Sequence, residues 1–89
     1  MKYFVYLLIT FHKKKFYTYV GYTNDINRRL RLHNSSKGAK FTKGKKWEVL
    51  YKKAYKTKSI AMKSEYLLKT NKKKRDKLKN DFIIKKNSQ

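Results

Sequence analysis

The chain passes from a solid apolar run, through lysine-rich breaks, to segments with helical spacing. Tyr3-Phe4-Val5-Tyr6-Leu7-Leu8-Ile9 is apolar without alternation. A run of that kind reads as a strand covered on both faces, hence central in its sheet. Phe11-His12-Lys13-Lys14-Lys15 breaks it with a polar turn, and Phe16 to Tyr22 forms a second strand. The two make a hairpin. The turn has no Asn-Gly pair, so its register is open; with the loop centred near His12 and Lys13, Tyr6 falls opposite Tyr19. Thr23-Asn24-Asp25 reads as a helix start, because short polar side chains accept from the first free backbone N–H groups. The helix runs from Asn24 to about Asn34, with Ile26 and Leu30 as its core stripe.

Ser35 to Gly44 is a loop of small and basic residues, and Trp47 to Tyr55 is a third strand. Thr57-Lys58-Ser59 caps a second helix from Ile60 to about Thr70, on which Ile60, Ala61, Leu67 and Leu68 form an apolar arc with Glu65 just beyond its edge. A shorter basic helix from Lys72 to Asn80 is expected next. Phe82-Ile83-Ile84 then docks on the core, and Lys85 to Gln89 is expected to fray. The order β-β-α-β-α with a central first strand predicts an α/β (α+β) domain over residues 1–84. Its sheet has three antiparallel strands in the order 2-1-3, flanked by helices.

Composition then narrows the partner. The 89 residues include 26 Lys or Arg against 5 Asp or Glu, a formal net charge of +21. Such a charge opposes compaction unless a polyanion offsets it, and nucleic acid fits best. The lysines are spread along the chain rather than gathered opposite one apolar helical face, which argues against a membrane surface. At 39% hydrophobic and 16% aromatic, the chain is too apolar for a disordered basic tail. It has no cysteine, so disulfides and thiolate zinc sites are excluded. No segment is long enough to span a bilayer, and the Tyr3–Ile9 run lacks a signal-peptide cleavage pattern. A soluble intracellular protein is expected.

Arg29 and His33 are four residues apart and share a helix face near the strand carrying Tyr19 and Gly21. A fixed cation, a titratable ring and a phenol beside a glycine suit phosphodiester chemistry; an ordinary basic helix face is the plainer reading. Asp25, Glu48, Glu65, Asp76 and Asp81 are too scattered for a two-metal site. A single Mg²⁺ completed by water and substrate oxygens needs less, and Glu65 is the best-placed ligand. Pairing of Glu65 with Lys69 at i+4 is the alternative.

These residues resemble a known family. Phe4-Val5-Tyr6, Tyr19-Val20-Gly21, then Arg29, His33 and Glu65 look like the signature of the GIY-YIG endonuclease superfamily, over about residues 3–80. Lys37-Gly38-Ala39-Lys40-Phe41-Thr42-Lys43-Gly44 and Trp47-Glu48-Val49-Leu50 are similar to the small stand-alone bacterial members and to the nuclease domain of eukaryotic structure-selective endonucleases. Phe4 replaces the glycine of the family's first triplet, and the asparagine some members carry has only Asn71 and Asn80 as candidates. The resemblance implies a metal-dependent endonuclease cutting DNA, with branched or flapped DNA favoured, for repair or recombination. It implies Glu65 as ligand to one Mg²⁺ or Mn²⁺, and Tyr6, directly or by water through Tyr19, as proton acceptor. Arg29 would stabilise the transition state, and His33 would position the nucleophile or relay a proton. Gly21 would allow close backbone approach, and Lys40, Lys43, Lys45 and Lys46 would clamp phosphates. The alternative is a non-catalytic DNA- or RNA-binding module on the same scaffold.

Overall fold

A computed structural model describes residues 2–88. Strand β1 (Tyr3–His12) pairs antiparallel with β2 (Lys15–Thr23) on one side and β3 (Glu48–Tyr55) on the other, giving the order β2-β1-β3. Helix α1 (Ile26–Asn34) follows β2, a single 3₁₀ turn (Lys40–Thr42) precedes β3, and helices α2 (Lys58–Thr70) and α3 (Lys72–Asn87) close the chain. The expected sheet order is the observed one. Val5 to Thr10 are all buried, as an unalternating central strand requires.

The hairpin register differs from the expected one by two residues. His12 pairs with Lys15, so the turn residues are Lys13 and Lys14, and Tyr6 lies opposite Gly21 while Leu8 lies opposite Tyr19. Lys13 and Lys14 both take left-handed conformations, φ 51° and 67°, as a tight two-residue hairpin turn requires. Without glycine or asparagine this costs on the order of 1 kcal/mol per residue. A shift of two leaves every side chain on its expected face.

The alternation of β1 divides the core. Val5 and Leu7 pack with Val20 and with Ala61 and Leu68 of α2. Tyr6 and Leu8 pack with Trp47 on the other face, where Ile26 and Leu30 of α1 close over them with Tyr17, Tyr19 and Val49. Asp25 caps α1 by accepting from the Arg28 N–H, and Thr57 caps α2 by accepting from the Ile60 N–H.

Two helix expectations change. Ala61 and Leu68 are buried, but Ile60 and Leu67 are exposed, so α2 turns a narrower stripe inward than the sequence arc suggested. Glu65, four residues after Ala61 and three before Leu68, is half-buried at the border of that stripe, as expected. The last helix does not stop near Asn80. It runs unbroken to Asn87 with Ser88 as its C-cap, while Gln89 and Met1 lie outside the described residues. Phe82 and Ile83 are half-buried and Ile84 is exposed. Among the described residues no helix is long and apolar enough to cross a membrane.

Candidate active site

Tyr6 projects from the centre of the sheet toward β2, into space that only glycine at position 21 leaves free. A Cβ on Gly21 would lie 2.2 Å from the Tyr6 hydroxyl oxygen and 2.4 Å from its ring carbon Cζ. Gly21 is itself buried, so it has an internal reason to lack a side chain, separate from any approach to substrate.

The Tyr6 hydroxyl meets His33 Nε2 at 3.0 Å. His33 is in the last turn of α1 and fully buried. Its other ring nitrogen, Nδ1, is 2.8 Å from Thr42 Oγ1. Thr42 Oγ1 in turn donates to the carbonyl of Ala39 at 2.8 Å. A hydroxyl has one proton to give. Since Thr42 spends it on Ala39, Thr42 must accept from His33 Nδ1–H. The neutral ring then has its lone pair on Nε2, and Tyr6 must donate to it. The four groups form one directed chain, Tyr6 to His33 to Thr42 to the Ala39 carbonyl.

Burial works against charge at both ends of the Tyr6–His33 bond. Desolvation raises the Tyr6 pKa, opposed by a hydrogen bond and the charge of Arg29, and aided by Tyr19 and Glu65. Desolvation lowers His33 to about 4, and the Arg29 charge pushes the same way. At neutral pH the pair therefore rests as phenol and imidazole. Arg29, half-buried on α1, favours a phenolate at Tyr6 and disfavours an imidazolium at His33.

The loop before β3 holds the histidine. A Cβ on Gly38 would lie 2.4 Å from His33 Nδ1. Trp47, 2% exposed, donates its indole N–H to the Thr42 carbonyl at 3.0 Å. Asn34 brackets the Trp47 peptide, accepting from its N–H and donating to its carbonyl. Thus Trp47 anchors β3 to the end of α1 and locks the loop. Tyr19 packs edge-on to His33, with ring centroids 5.2 Å apart.

Tyr6, Tyr19, Arg29 and His33 are thereby gathered at one place, with Glu65 of α2 within electrostatic reach of Tyr6. Glu65 acts on Tyr6 as a charge and, among the described residues, forms no salt bridge, so the Lys69 pair is not made. Lys40, Lys43 and Lys46 are exposed around the loop, while the Lys45 ammonium turns back to the Phe41 carbonyl at 3.1 Å. Thr42, Gly38 and Asn34 were not singled out from the sequence. The only signal for the first two was their place in the Lys37–Gly44 stretch, and Asn34 looked like a helix end.

A resident metal has few donors here. Among the described residues no three His, Cys, Asp or Glu side chains cluster as ligands. A single carboxylate acting on the site, Glu65, fits a hard ion that keeps most of its waters and binds substrate oxygens, as Mg²⁺ does, and does not fit a closed zinc site.

Comparison with known proteins follows the same lines. A UPF0213 protein of Oceanobacillus iheyensis is 50% identical over 52 residues, which is 57% of this chain and 60% of that protein. A UPF0213 protein of Bacillus subtilis is 44% identical over 52 residues, 57% of this chain and 52% of that protein. The matched part of the chain thus spans little more than half the length of these relatives. The solution NMR structure of a UPF0213 protein from Bacillus halodurans is 34% identical, covers 90% of this chain and 84% of that one, and has a TM-score of 0.47. The family model described as the GIY-YIG catalytic domain matches residues 2–80, the stretch that holds every group of the site. The chain therefore belongs to the GIY-YIG family.

Proposed function

We propose that the protein is a metal-dependent endonuclease that hydrolyses phosphodiester bonds in DNA, with branched or flapped DNA as its preferred substrate. The observation that carries the reading is the 3.0 Å contact between Tyr6 and His33 Nε2, directed by Thr42 so that the phenol can pass its proton inward. An attacking water loses a proton to the Tyr6 oxygen as the Tyr6 proton moves to His33 Nε2. His33, held at about 4 by burial and Arg29, is a reluctant acceptor in the resting protein. An anionic phosphate seated at Arg29 offsets the guanidinium charge that holds His33 down, so the relay runs when substrate is seated. Arg29 then faces the charge that grows on the phosphoryl oxygens. Glu65 would hold a single Mg²⁺ or Mn²⁺, which when bound supplies Lewis-acid stabilisation of the phosphate and the leaving oxygen. Lys40, Lys43 and Lys46 track the backbone on either side.

The test is nicking of flapped, forked and duplex DNA with Mg²⁺ or Mn²⁺, and again with a chelator. Cleavage should stop with the chelator. Arg29→Ala should slow it by about 10²–10³ while changing DNA affinity only a few-fold, because one contact among many is lost. DNA bound equally with and without metal, and never cut, would make the protein a binding module instead.

A further inference from the structure

Among the described residues Phe41 is the most exposed aromatic ring around the site's histidine. It lies on the 3₁₀ turn whose next residue, Thr42, holds His33. Its ring runs nearly parallel to Tyr19, at 17° and 6.2 Å between centroids. Tyr17 meets it edge-on at 6.2 Å, and the buried Trp47 supports it at 6.0 Å. Despite these three neighbours Phe41 is 47% exposed.

A single exposed apolar side chain usually calls for no explanation. This one differs in two respects. Its underside is built of rings that hold it in place, and it is fixed to the residue that orients the site's histidine. The Lys45 ammonium lies 5.2 Å from the ring centroid. A flexible cation over an exposed ring is a weak cover that a better π-partner displaces. The nucleobase is such a partner, and stacking on an aromatic ring tolerates any base because every base has a π-face. In continuous duplex both faces of a base are already stacked on neighbours. Only an unpaired or splayed nucleotide can offer one.

We infer that Phe41, supported by Tyr17, Tyr19 and Trp47, is a stacking platform for an unpaired nucleobase beside the scissile phosphate, with Lys45 moving to that nucleotide's phosphate. The inference rests on the nuclease reading above and specifies its substrate as DNA with an unpaired nucleotide at the cut, as at a flap or fork.

The test is binding measured in chelator, so that it does not depend on cleavage. Single-stranded DNA and duplex DNA of the same sequence are titrated into parent, Phe41→Ala, Phe41→Leu and Phe41→Trp proteins. Phe41→Ala and Phe41→Leu should each weaken single-strand binding by roughly 10- to 100-fold. Duplex binding should change by less than about twofold, because its affinity comes from phosphates. Phe41→Trp should keep single-strand affinity. A 2-aminopurine scanned along the strand should show its fluorescence change at one or two positions with the parent and at none with Phe41→Leu. Leucine keeps apolar bulk on the loop, so that variant separates stacking from loop packing. Unchanged single-strand affinity in Phe41→Leu, or equal losses on both DNAs, overturns the platform and leaves the nuclease reading standing. A parent protein that binds neither DNA overturns both.

Discussion

On the α1 side of the sheet a polar chain runs through the interior. Tyr6, His33 and Thr42 are 2%, 0% and 0% exposed and are bonded in series. On the α2 side Val5, Leu7, Val20, Ala61 and Leu68 form an ordinary apolar core, and beyond it α3 contributes half-buried residues such as Leu78 but no fully buried one. Most charges of α3 face water, with exposed pairs such as Lys72–Asp76 and Lys77–Asp81. One half gains stability by excluding water from hydrocarbon, which is tolerant of small changes in geometry. The other carries buried donors and acceptors whose partners must all be present, because an unpaired one is costly. Among the described residues none of those buried side-chain groups lacks a partner. The polar half should therefore fail steeply under small substitutions, and the charged helix hardly at all.

The largest effect should come from one methyl group. Gly21→Ala places a Cβ within 2.4 Å of Tyr6 Cζ, so the whole ring must move and its bond to His33 breaks. Overpacking and the lost buried hydrogen bond together should cost about 2–4 kcal/mol. Urea unfolding of parent and variant measures it. A change under half a unit of kcal/mol, on the order of a surface substitution, would show that Tyr6 is not held as described.

Acid should find the same weakness. His33 rests at about 4 against an ordinary 6.5, because burial and Arg29 oppose its charge. Between those values the unfolded chain binds a proton that the folded protein does not. The contribution is fully present above pH 6.5 and is lost as pH falls toward 4, in total about 3 kcal/mol. Thermal or urea midpoints across that window should fall for the parent, and the slope should flatten in His33→Gln. A flat parent profile would contradict the buried neutral imidazole.

Thr42 offers a finer cut. Thr42→Val keeps shape but leaves the His33 Nδ1–H without its acceptor, at about 1–3 kcal/mol. Thr42→Ser should restore most of that. If the relay reading is right, nicking should also fall in Thr42→Val and return in Thr42→Ser, because the valine no longer selects the tautomer that accepts from Tyr6. Equal behaviour of the two variants would remove Thr42 from that role.

The α3 half should respond least. Asp81→Asn breaks an ion pair whose two side chains are 77% and 65% exposed. Such pairs contribute little in water, and the change in unfolding free energy should stay under about 0.5 kcal/mol. A larger loss would mean that α3 is docked more firmly than its exposed surface implies.

The sequence by itself determined the order of the elements and of the strands, though not where α3 ends. An unalternating apolar run has to be central, and spacing, caps and turn residues mark the rest, because these are local or face-by-face effects. It also put Arg29 and His33 on one helix face, since four residues always make just over one turn. The hairpin register was set by Lys13 and Lys14 adopting left-handed geometry that their side chains do not advertise. The inward stripe of α2 depended on which of its apolar residues met the sheet, and Ala61 and Leu68 did while Ile60 and Leu67 did not. The roles of Thr42, Gly38 and Asn34 came only with tertiary structure. A hydrogen-bond chain depends on distances of a few tenths of an ångström between residues far apart in sequence, such as Tyr6 and His33. Periodicity says which face a residue lies on and nothing about what it will touch there.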